Sequence, residues 1–327
     1  MNNPLPALGI DVAKDNVEAA LLFKERYYRH TFTNTDKGFA KLKAWLKERQ
    51  VERVHACMEA TGRYGDAVAH YLHEQGHLVS VVNPAAICYY ARSKMARNKS
   101  DRLDAEVIAS YCDTQIPRAW APLTPEVLKL QQILRYLDVL REQRVQHLNR
   151  LSSAPPLPEV RKAIQVQLNL VDKQIEQFED MLHVHLNSDP HLRQQRDLLH
   201  SIKGIGELTA AKMLAINLAD FDSARAAAAF AGLNPQNADS GKSVHRKTKL
   251  GKQGDPSLRT ALYMPAMSAL RWNPVIKRFG ERLEKHGKCK MVVLGAAMRK
   301  LLCLAYGVLK SGKPFDPNFA MIWPPTH

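Results

Sequence analysis

Residues 1–121 alternate short apolar runs with amphipathic stretches, which is the pattern of an α/β domain. Runs of strand length that are apolar, β-branched or aromatic predict five strands, at 7–12, 16–23, 27–33, 54–59 and 78–82. Helical spacing of apolar side chains predicts helices over 35–50, 64–75 and 84–95, and another that begins at Asp101. Three successive strands followed by helical crossovers indicate a mixed sheet, in which an antiparallel meander continues into parallel strands.

The rest of the chain is predicted to be mainly helical. Two long amphipathic helices, 127–152 and 159–187, flank a proline-rich break, and they predict either a hairpin within the chain or a coiled coil between chains. Further helices are predicted over 198–218, 221–234, 273–286 and 290–309. Residues 234–252 are rich in glycine and polar side chains and are predicted to form a loop.

These patterns divide the chain into three predicted domains. They are an α/β domain of residues 1–121, a helical spacer of residues 122–197 and a basic helical domain of residues 198–327. A length of 327 residues is sufficient for more than one hydrophobic core. The predicted class is therefore α/β plus α.

Positive charge is concentrated towards the C-terminus. The whole chain has a formal net charge of +15, but residues 1–120 contain 17 Lys and Arg against 14 Asp and Glu. Residues 240–313 contain 17 against 3. Charge of nearly one sign over a whole region favours a polyanionic partner, with nucleic acid as the first expectation.

Four acidic residues on three distant segments of the chain could form one site. Asp11 ends the first predicted strand and Glu59 ends the fourth, while Asp101 and Asp104 lie three residues apart on a predicted helix and so share one face. Adjacent carboxylates repel each other unless a cation lies between them. If the first and fourth strands are neighbours, the four acids converge and can bind a hard cation such as Mg²⁺. Taken singly, Asp11 is equally well explained as a turn residue at a strand end and Glu59 as a surface residue. Asp101 and Asp104 are more simply explained as exposed acids that compensate the dipole at a helix start.

The order of these motifs resembles one known family. It is similar to the ribonuclease-H-like, RuvC-type domain of the insertion-sequence-110 family of transposases, whose four acids fall on Asp11, Glu59, Asp101 and Asp104. The resemblance rests on four segments: Gly9-Ile10-Asp11-Val12-Ala13-Lys14, Glu59-Ala60-Thr61-Gly62, Asn83-Pro84 and Lys99-Ser100-Asp101-Arg102-Leu103-Asp104-Ala105. It implies a coiled-coil spacer that assists assembly and a C-terminal transposase domain.

Residues 198–218 contain a glycine turn between two helical segments, which is the pattern of a helix-hairpin-helix. Gly204 and Gly206 allow a tight turn, and the next helix presents free N–H groups that can bind a phosphate. A plain helix-breaking turn explains the same residues. Cations predicted to contact nucleic acid are Lys99, Lys242, Arg246, Lys247, Lys249, Lys252 and Arg259.

A nucleophilic serine is expected in the basic loop. From the residues alone Ser240 and Ser243 are equally eligible, and either is most simply an ordinary loop serine. The family places its catalytic serine in a Ser-Gly pair upstream of a motif that matches Gly254-Asp255-Pro256-Ser257-Leu258-Arg259-Thr260-Ala261-Leu262-Tyr263. Only Ser240 is followed by glycine, so the resemblance assigns the nucleophile to Ser240.

The resemblance implies a recombinase that cuts and rejoins DNA with two Mg²⁺ ions, or Mn²⁺, and the serine. It also implies a bridge RNA that specifies donor and target, and a homodimer or homotetramer. Two alternatives remain from the residues alone. A junction endonuclease would use the four acids with water and leave Ser240 idle, and a non-catalytic scaffold would use only the basic surface. Acids at a DNA interface oppose the scaffold, because they repel phosphate unless a metal is bound.

Cellular location is inferred from cysteine usage and apolar runs. The five cysteines form no Cys-x-x-Cys pair, which argues against a zinc site and a disulfide framework and favours a reducing cytosol. No signal peptide and no membrane span are expected, since the apolar runs are short. We therefore expect a cytoplasmic protein, and the resemblance implies that it is bacterial and associated with the nucleoid.

Overall fold

The protein is described by a computed structural model that covers residues 4–60, 63–94, 101–153, 157–240, 244–251 and 253–318. For residues 63, 101–103, 236–240 and 244–249 the backbone alone is described. The chain forms two compact units, residues 1–123 and residues 124–327. The division of the second unit into a spacer and a basic domain stays a prediction.

The first unit is built on a five-stranded mixed sheet. Its strands are β1 (Ala7–Val12), β2 (Asn16–Phe23), β3 (Arg26–Thr33), β4 (His55–Glu59) and β5 (Leu78–Val82). Their spatial order is β3-β2-β1-β4-β5, with β1, β2 and β3 antiparallel and β1, β4 and β5 parallel. The predicted strands, the mixed sheet and the adjacency of the first and fourth strands are confirmed.

Alternation along β1 sends side chains to two different cores. Leu8 and Ile10 join the larger core, which includes residues of α1 (Asp36–Glu48) and α2 (Arg63–Glu74). Ala7, on the opposite face, packs with residues of α3 (Pro84–Ser93) and α4 (Asp101–Gln115). Helices therefore cover both faces of the sheet, and Asp11 belongs to the face covered by α4.

The second unit is mainly helical, as predicted. Its helices are α5 (Pro125–Ser153), α6 (Pro158–Ser188), α7 (Pro190–His200), α8 (Glu207–Ala215), α9 (Ala224–Phe230), α10 (Pro256–Ala261), α11 (Tyr263–Trp272), α12 (Pro274–Lys285) and α13 (Lys290–Ser311). A 3₁₀ turn, Leu218–Asp220, separates α8 from α9. Two strands, β6 (Pro235–Ser240) and β7 (Val244–Leu250), form an antiparallel hairpin.

Helices α5 and α6 pack against each other in an antiparallel pair. Leu130, Leu134 and Leu137 of α5 are buried, as are Leu168 and Val171 of α6. Ion pairs follow the seam, with Arg141 to Glu179 at 2.6 Å and Arg144 to Asp172 at 2.7 Å. The predicted pair of long amphipathic helices is confirmed, and the intrachain hairpin is one of the two arrangements that the pattern allowed.

Two predictions in the second unit were wrong. The helix expected over 221–234 spans only Ala224–Phe230, because the Ser223 side chain caps its start and Gly232, at φ +67°, follows its end. The loop expected over 234–252 contains the β6–β7 hairpin. Hydrophobic alternation does not reveal this hairpin, since its residues are mainly polar and cross-strand backbone hydrogen bonds form with any side chain.

Helix α13 has the length and apolar character of a membrane span, with a mean hydropathy of 1.7 over its most apolar window. Several of its side chains, including Val293, Leu294, Leu301 and Leu302, are nevertheless buried in the second unit. The helix contacts α7, α9, α11 and α12. We therefore interpret α13 as the central core helix of this unit.

Candidate active site and nucleic-acid surface

Asp11 and Glu59 lie level with each other on neighbouring parallel strands. The register of β1 with β4 sets Ile10 opposite Met58, and the two acids are the next residue on each strand. Both side chains are half-buried. The carboxyl ends of parallel strands in α/β proteins are a common place for ligands and catalytic groups. This pair is therefore the centre of the candidate site.

Helix α4 runs antiparallel to β1 and brings its two acids to the same end of the sheet. Near the C-terminal end of α4, the Cys112 thiol donates to the carbonyl oxygen of His55 at 3.3 Å, at the start of β4. Further along β1, Gly9 lies against the backbone of Ala105 and Ala109. The first turn of α4, with Asp101 and Asp104, therefore lies towards the carboxyl ends of β1 and β4.

This placement of four acids is a property of the backbone and the register. Among the side chains that the structure describes, no group of three His, Cys, Asp or Glu residues is arranged to hold a metal ion. The Asp101 side chain is not among them. The donor set consists of carboxylate oxygens only, which suits Mg²⁺ or Mn²⁺ better than zinc.

Two further acids on this face were not predicted. Glu18 of β2 lies directly opposite Asp11, and the Thr31 hydroxyl contacts both of its carboxylate oxygens at 2.8 Å. Glu106 of α4 forms an ion pair with Arg29 of β3, and this hydrogen bond raises the pKa of the Arg29 guanidinium. Glu18 lies on the second predicted strand and Glu106 on the same predicted helix as Asp104, but these positions alone do not show that the two acids share this face. Only the register shows which acid lies opposite Asp11.

Ser240 is the last residue of β6, and Val244 of β7 lies opposite it. The preceding pair in the ladder is Asp239 and His245. Ser240 thus belongs to a hairpin, which defines its backbone position more closely than the predicted loop would. Its role as nucleophile stays a prediction.

The cations predicted to bind nucleic acid are only partly within the described residues. Arg246, Lys247 and Lys249 lie on β7, next to the predicted serine. Lys99, Lys242 and Lys252 lie outside the described residues. Arg259 of α10 uses one guanidinium nitrogen, Nη1, to donate to the carbonyl oxygen of Ala231 at 3.2 Å, so part of its function is structural.

The base of the hairpin is held by tight backbone contacts. The Asp255 amide donates to the carbonyl oxygen of Phe230 at 2.7 Å, and a Cβ on Gly254 would lie 2.7 Å from the Gly232 nitrogen. Leu250, at the end of β7, packs against Gly295 of α13. The strands therefore emerge from a rigid junction, although their tip is rich in polar residues.

The predicted glycine turn lies between α7 and α8. Gly204 has φ +111°, and a Cβ there would lie 2.8 Å from Cβ of Ala269 on α11. This glycine is explained by backbone conformation and packing. Gly206 is exposed and precedes α8, and the first residue of α8, Glu207, accepts from His183 Nδ1 at 2.9 Å. A carboxylate at this helix start competes with a phosphate. The helix-hairpin-helix function stays a prediction.

A polar cluster that the sequence did not reveal joins three helices of the second unit. Lys212 of α8 lies 2.7 Å from a carboxylate oxygen of Asp138 on α5 and 3.0 Å from the Ser257 hydroxyl on α10. Ser257 is itself 3.1 Å from Asp138. The Lys212 side chain is only 12% exposed, so the cluster ties α10, close to the base of the hairpin, to the long helix α5.

Comparison with known proteins identifies the family. Residues 8–154 match a family model described as "Transposase", and residues 196–281 match one described as "Transposase IS116/IS110/IS902 family". Both matched regions contain candidate residues discussed above, the first Asp11, Glu59, Asp101 and Asp104, and the second Gly204, Gly206, Ser240 and Arg259.

Individual relatives agree with the family models. The chain is 33% identical to the "Pilin gene-inverting protein" of Moraxella bovis and 32% identical to that of Moraxella lacunata. Each alignment covers 94% of this chain and 97% of the relative. A "Putative transposase y4rJ" of Sinorhizobium fredii is 27% identical over 80% of this chain and 82% of its own length. A family model for each half and relatives aligned over nearly the whole chain lead to one conclusion: this protein belongs to the IS110 family of transposases.

Proposed function

We propose that this transposase is a DNA recombinase that cuts and rejoins strands through a covalent serine intermediate, and that a bridge RNA guides it. The observation that carries the enzymatic part is the convergence of Asp11, Glu59 and the first turn of α4 at one end of the sheet. Carboxylates placed near one another repel, and their oxygen atoms suit a hard cation, so this arrangement favours a cation-binding function.

The four acids would hold Mg²⁺, which polarises the scissile phosphodiester when it is bound. The protein's own task is then to position its carboxylates and to supply the nucleophile. The contact of Gly9 with Ala105 and the Cys112 hydrogen bond to His55 both support this positioning, because they determine how α4 lies on the sheet.

Ser240 would attack the phosphorus atom of one strand. A bond then forms between phosphorus and Oγ, one phosphorus–oxygen bond of the DNA backbone breaks, and the released strand keeps a free hydroxyl group. A hydroxyl of the partner strand attacks the phosphoserine in the second step, which restores the serine and joins the strands. Neighbouring cations of β7, such as Arg246 and Lys247, would stabilise the negative charge of the transition state.

The acids and the serine lie in different compact units, so assembly can control cutting. We propose a homodimer or homotetramer assembled through the α5–α6 hairpin. Val145, Val166 and Leu170 on these helices are exposed by 54, 61 and 59%. Light scattering should show a multimer for the native chain, and a triple substitution by serine should shift it towards a monomer.

The relatives named as pilin gene-inverting proteins favour inversion of a DNA segment as the outcome. For this chain we propose only the class of reaction, which is the exchange of strands between two sites on bacterial DNA at the nucleoid. The cognate DNA sites and the RNA are then defined by the element that encodes the chain.

The test of the chemistry is to trap the covalent intermediate. The protein, its cognate RNA, Mg²⁺ and a nicked DNA target are incubated and then separated on a denaturing gel. We expect a protein–DNA adduct with the native chain and with the matched control Ser243→Ala. The adduct should be lost in Ser240→Ala and Asp101→Asn.

The alternative is a metal-dependent junction endonuclease that uses water as nucleophile. It is favoured by the same observation, because the acids are placed together within the first unit without any contribution from Ser240. Cleavage that produces no adduct and survives Ser240→Ala would contradict the serine mechanism and establish the endonuclease.

A further inference from the structure

Trp272 is a large aromatic side chain that the core leaves exposed. It ends α11 and is 65% exposed, whereas Trp45 of the first unit is 7% exposed. The guanidinium of Arg271 lies over its ring, 5.6 Å from the ring centroid. Exposed aromatic rings and arginine guanidinium planes are groups on which proteins stack unpaired bases.

The segment of the chain around Trp272 is basic. Residues 263–292 contain seven Lys and Arg and two Glu, a net charge of +5. A surface groove of about 470 Å³ begins at Pro274, two residues after the tryptophan, and Lys277 and Arg278 line it together with Glu281. Arg278 Nε donates to the carbonyl oxygen of Pro274 at 3.2 Å, which holds the cation beside the groove.

The corner between α11 and α12 is fixed by Asn273. Its side chain is fully buried, accepts from the amides of Val275 and Ile276 at 3.1 and 3.3 Å, and donates to the carbonyl oxygen of Lys203 at 3.2 Å. The last contact joins the corner to the glycine turn between α7 and α8. The backbone at Trp272 is therefore rigid, and a ligand does not have to order it on binding.

We propose that Trp272 and Arg271 form a base-stacking site for single-stranded nucleic acid, with Lys277 and Arg278 of the adjoining groove binding the backbone phosphates. Exposed tryptophan and arginine also occur at protein interfaces, but the excess of positive charge along this segment favours a polyanionic partner. The chemistry is shared by DNA and RNA single strands. The inference rests on the proposed function, since it states how a recombinase would hold an unpaired strand.

The experiment measures binding of the full-length protein to fluorescent oligonucleotides of about 20 nucleotides, in EDTA so that no cleavage occurs. The probes are oligo-dT, oligo-rU and a DNA duplex. Trp272→Ala should weaken binding to one or both single strands about tenfold and change duplex binding less than about twofold. Weaker binding of both oligo-dT and oligo-rU indicates stacking that does not distinguish DNA from RNA. Weaker binding of only one probe identifies that type of nucleic acid as the ligand. Trp272→Phe should keep most of the affinity, because a phenyl ring still stacks.

Met291→Ala is the matched control, since Met291 is also 65% exposed and lies at the start of α13. It should bind all three probes like the native chain.

Replacement of Lys277 and Arg278 by glutamine should reduce the salt dependence of binding, by about 0.7 per lost phosphate contact, whereas Trp272→Ala should leave that slope unchanged. A thermal unfolding curve like that of the native chain establishes that each variant is folded.

Equal weakening of single-strand and duplex binding by Trp272→Ala, or no weakening of either, would overturn the proposal. So would a change of oligomeric state without a change of binding, which would make the patch a protein contact. This test does not depend on the proposed role of Ser240. If Trp272 stacks bases, Ser240→Ala should bind the single strands like the native chain, whether or not Ser240 is the nucleophile.

Discussion

Gly9 of β1 and Ala105 of α4 are in contact through their backbones, and no space remains for a side chain on Gly9. A Cβ there would overlap the carbonyl oxygen of Ala105 and would lie 2.9 Å from Cα of Ala109. Both contacts are backbone atoms, which cannot rotate away. The close approach of α4 to β1, which directs the first turn of α4 towards the ends of β1 and β4, therefore requires glycine at residue 9.

Gly9→Ala should displace α4 and thereby impair catalysis. We expect a loss of about 1–3 kcal/mol in the free energy of unfolding and a larger relative loss of DNA cleavage, because the helix shift moves Asp101 and Asp104. Urea unfolding and a cleavage assay measure the two effects.

Gly307→Ala is its control. Gly307 is an exposed residue of α13, and a Cβ there meets nothing within 4 Å. This substitution should raise the free energy of unfolding by up to about 1 kcal/mol, since alanine favours helix, and leave cleavage unchanged. Normal cleavage by Gly9→Ala would show that the placement of α4 is not required.

Asp11 and Glu18 provide a second matched pair, because they lie opposite each other on β1 and β2. Asp11→Asn should lower Mg²⁺-dependent cleavage by about a hundredfold or more, and EDTA should abolish cleavage by the native chain. Glu18→Gln should lower cleavage less than about tenfold, since the Thr31 hydroxyl engages its carboxylate. Cleavage rates measured over a range of Mg²⁺ concentrations distinguish the two variants. Equal losses of cleavage rate in both would place Glu18 within the metal site.

The cluster of Lys212, Asp138 and Ser257 should contribute to the stability of the second unit. Lys212→Met leaves Asp138 without its cation, and we expect a loss of about 2 kcal/mol, between the values for exposed and buried pairs. The matched control is Arg144→Met, because the Arg144–Asp172 pair has the same 2.7 Å distance but side chains that are 46 and 43% exposed. That substitution should cost less than about 1 kcal/mol. Equal losses in urea unfolding would refute the structural importance of the cluster.

His55 should make the first unit sensitive to acid. The side chain is fully buried, and desolvation lowers its pKa below the ordinary value of 6.5. Its Nε2 lies 2.8 Å from the Ser80 hydroxyl, which donates to the carbonyl oxygen of Arg118 at 2.7 Å and so accepts from the histidine. The neutral ring is therefore the folded form.

Because the unfolded chain binds a proton first, the contribution of neutral His55 is complete above pH 6.5 and is lost as the pH falls towards the lower, folded-state pKa. Urea unfolding from about pH 7.5 to about pH 5 should show a steeper decline for the native chain than for His55→Gln. Glutamine has an amide that can still donate to Ser80 but does not titrate in this range. If the free energy of unfolding falls equally with pH in both proteins, His55 is not the source of the acid sensitivity.

Local sequence patterns are sufficient to predict most elements of the first unit. Runs of apolar, β-branched and aromatic residues located all five strands, and the helix predicted from residue 35 is capped by Thr35, which accepts from the Gly38 amide at 3.3 Å. These signals are local, because a strand or a cap depends on side chains within a few residues. The motif order around Asp11, Glu59, Asp101 and Asp104 likewise identified the family.

Tertiary structure decided the relationships that depend on partners distant in the chain. The pairing of β1 with β4 and the close approach of α4 to Gly9 place the acids, and neither is encoded in the spacing of residues. The β6–β7 hairpin was missed because polar strands lack the alternation that reveals buried ones. The partners of Lys212 and the exposure of Trp272 follow from how helices pack, since burial is set by neighbouring elements and not by the local pattern.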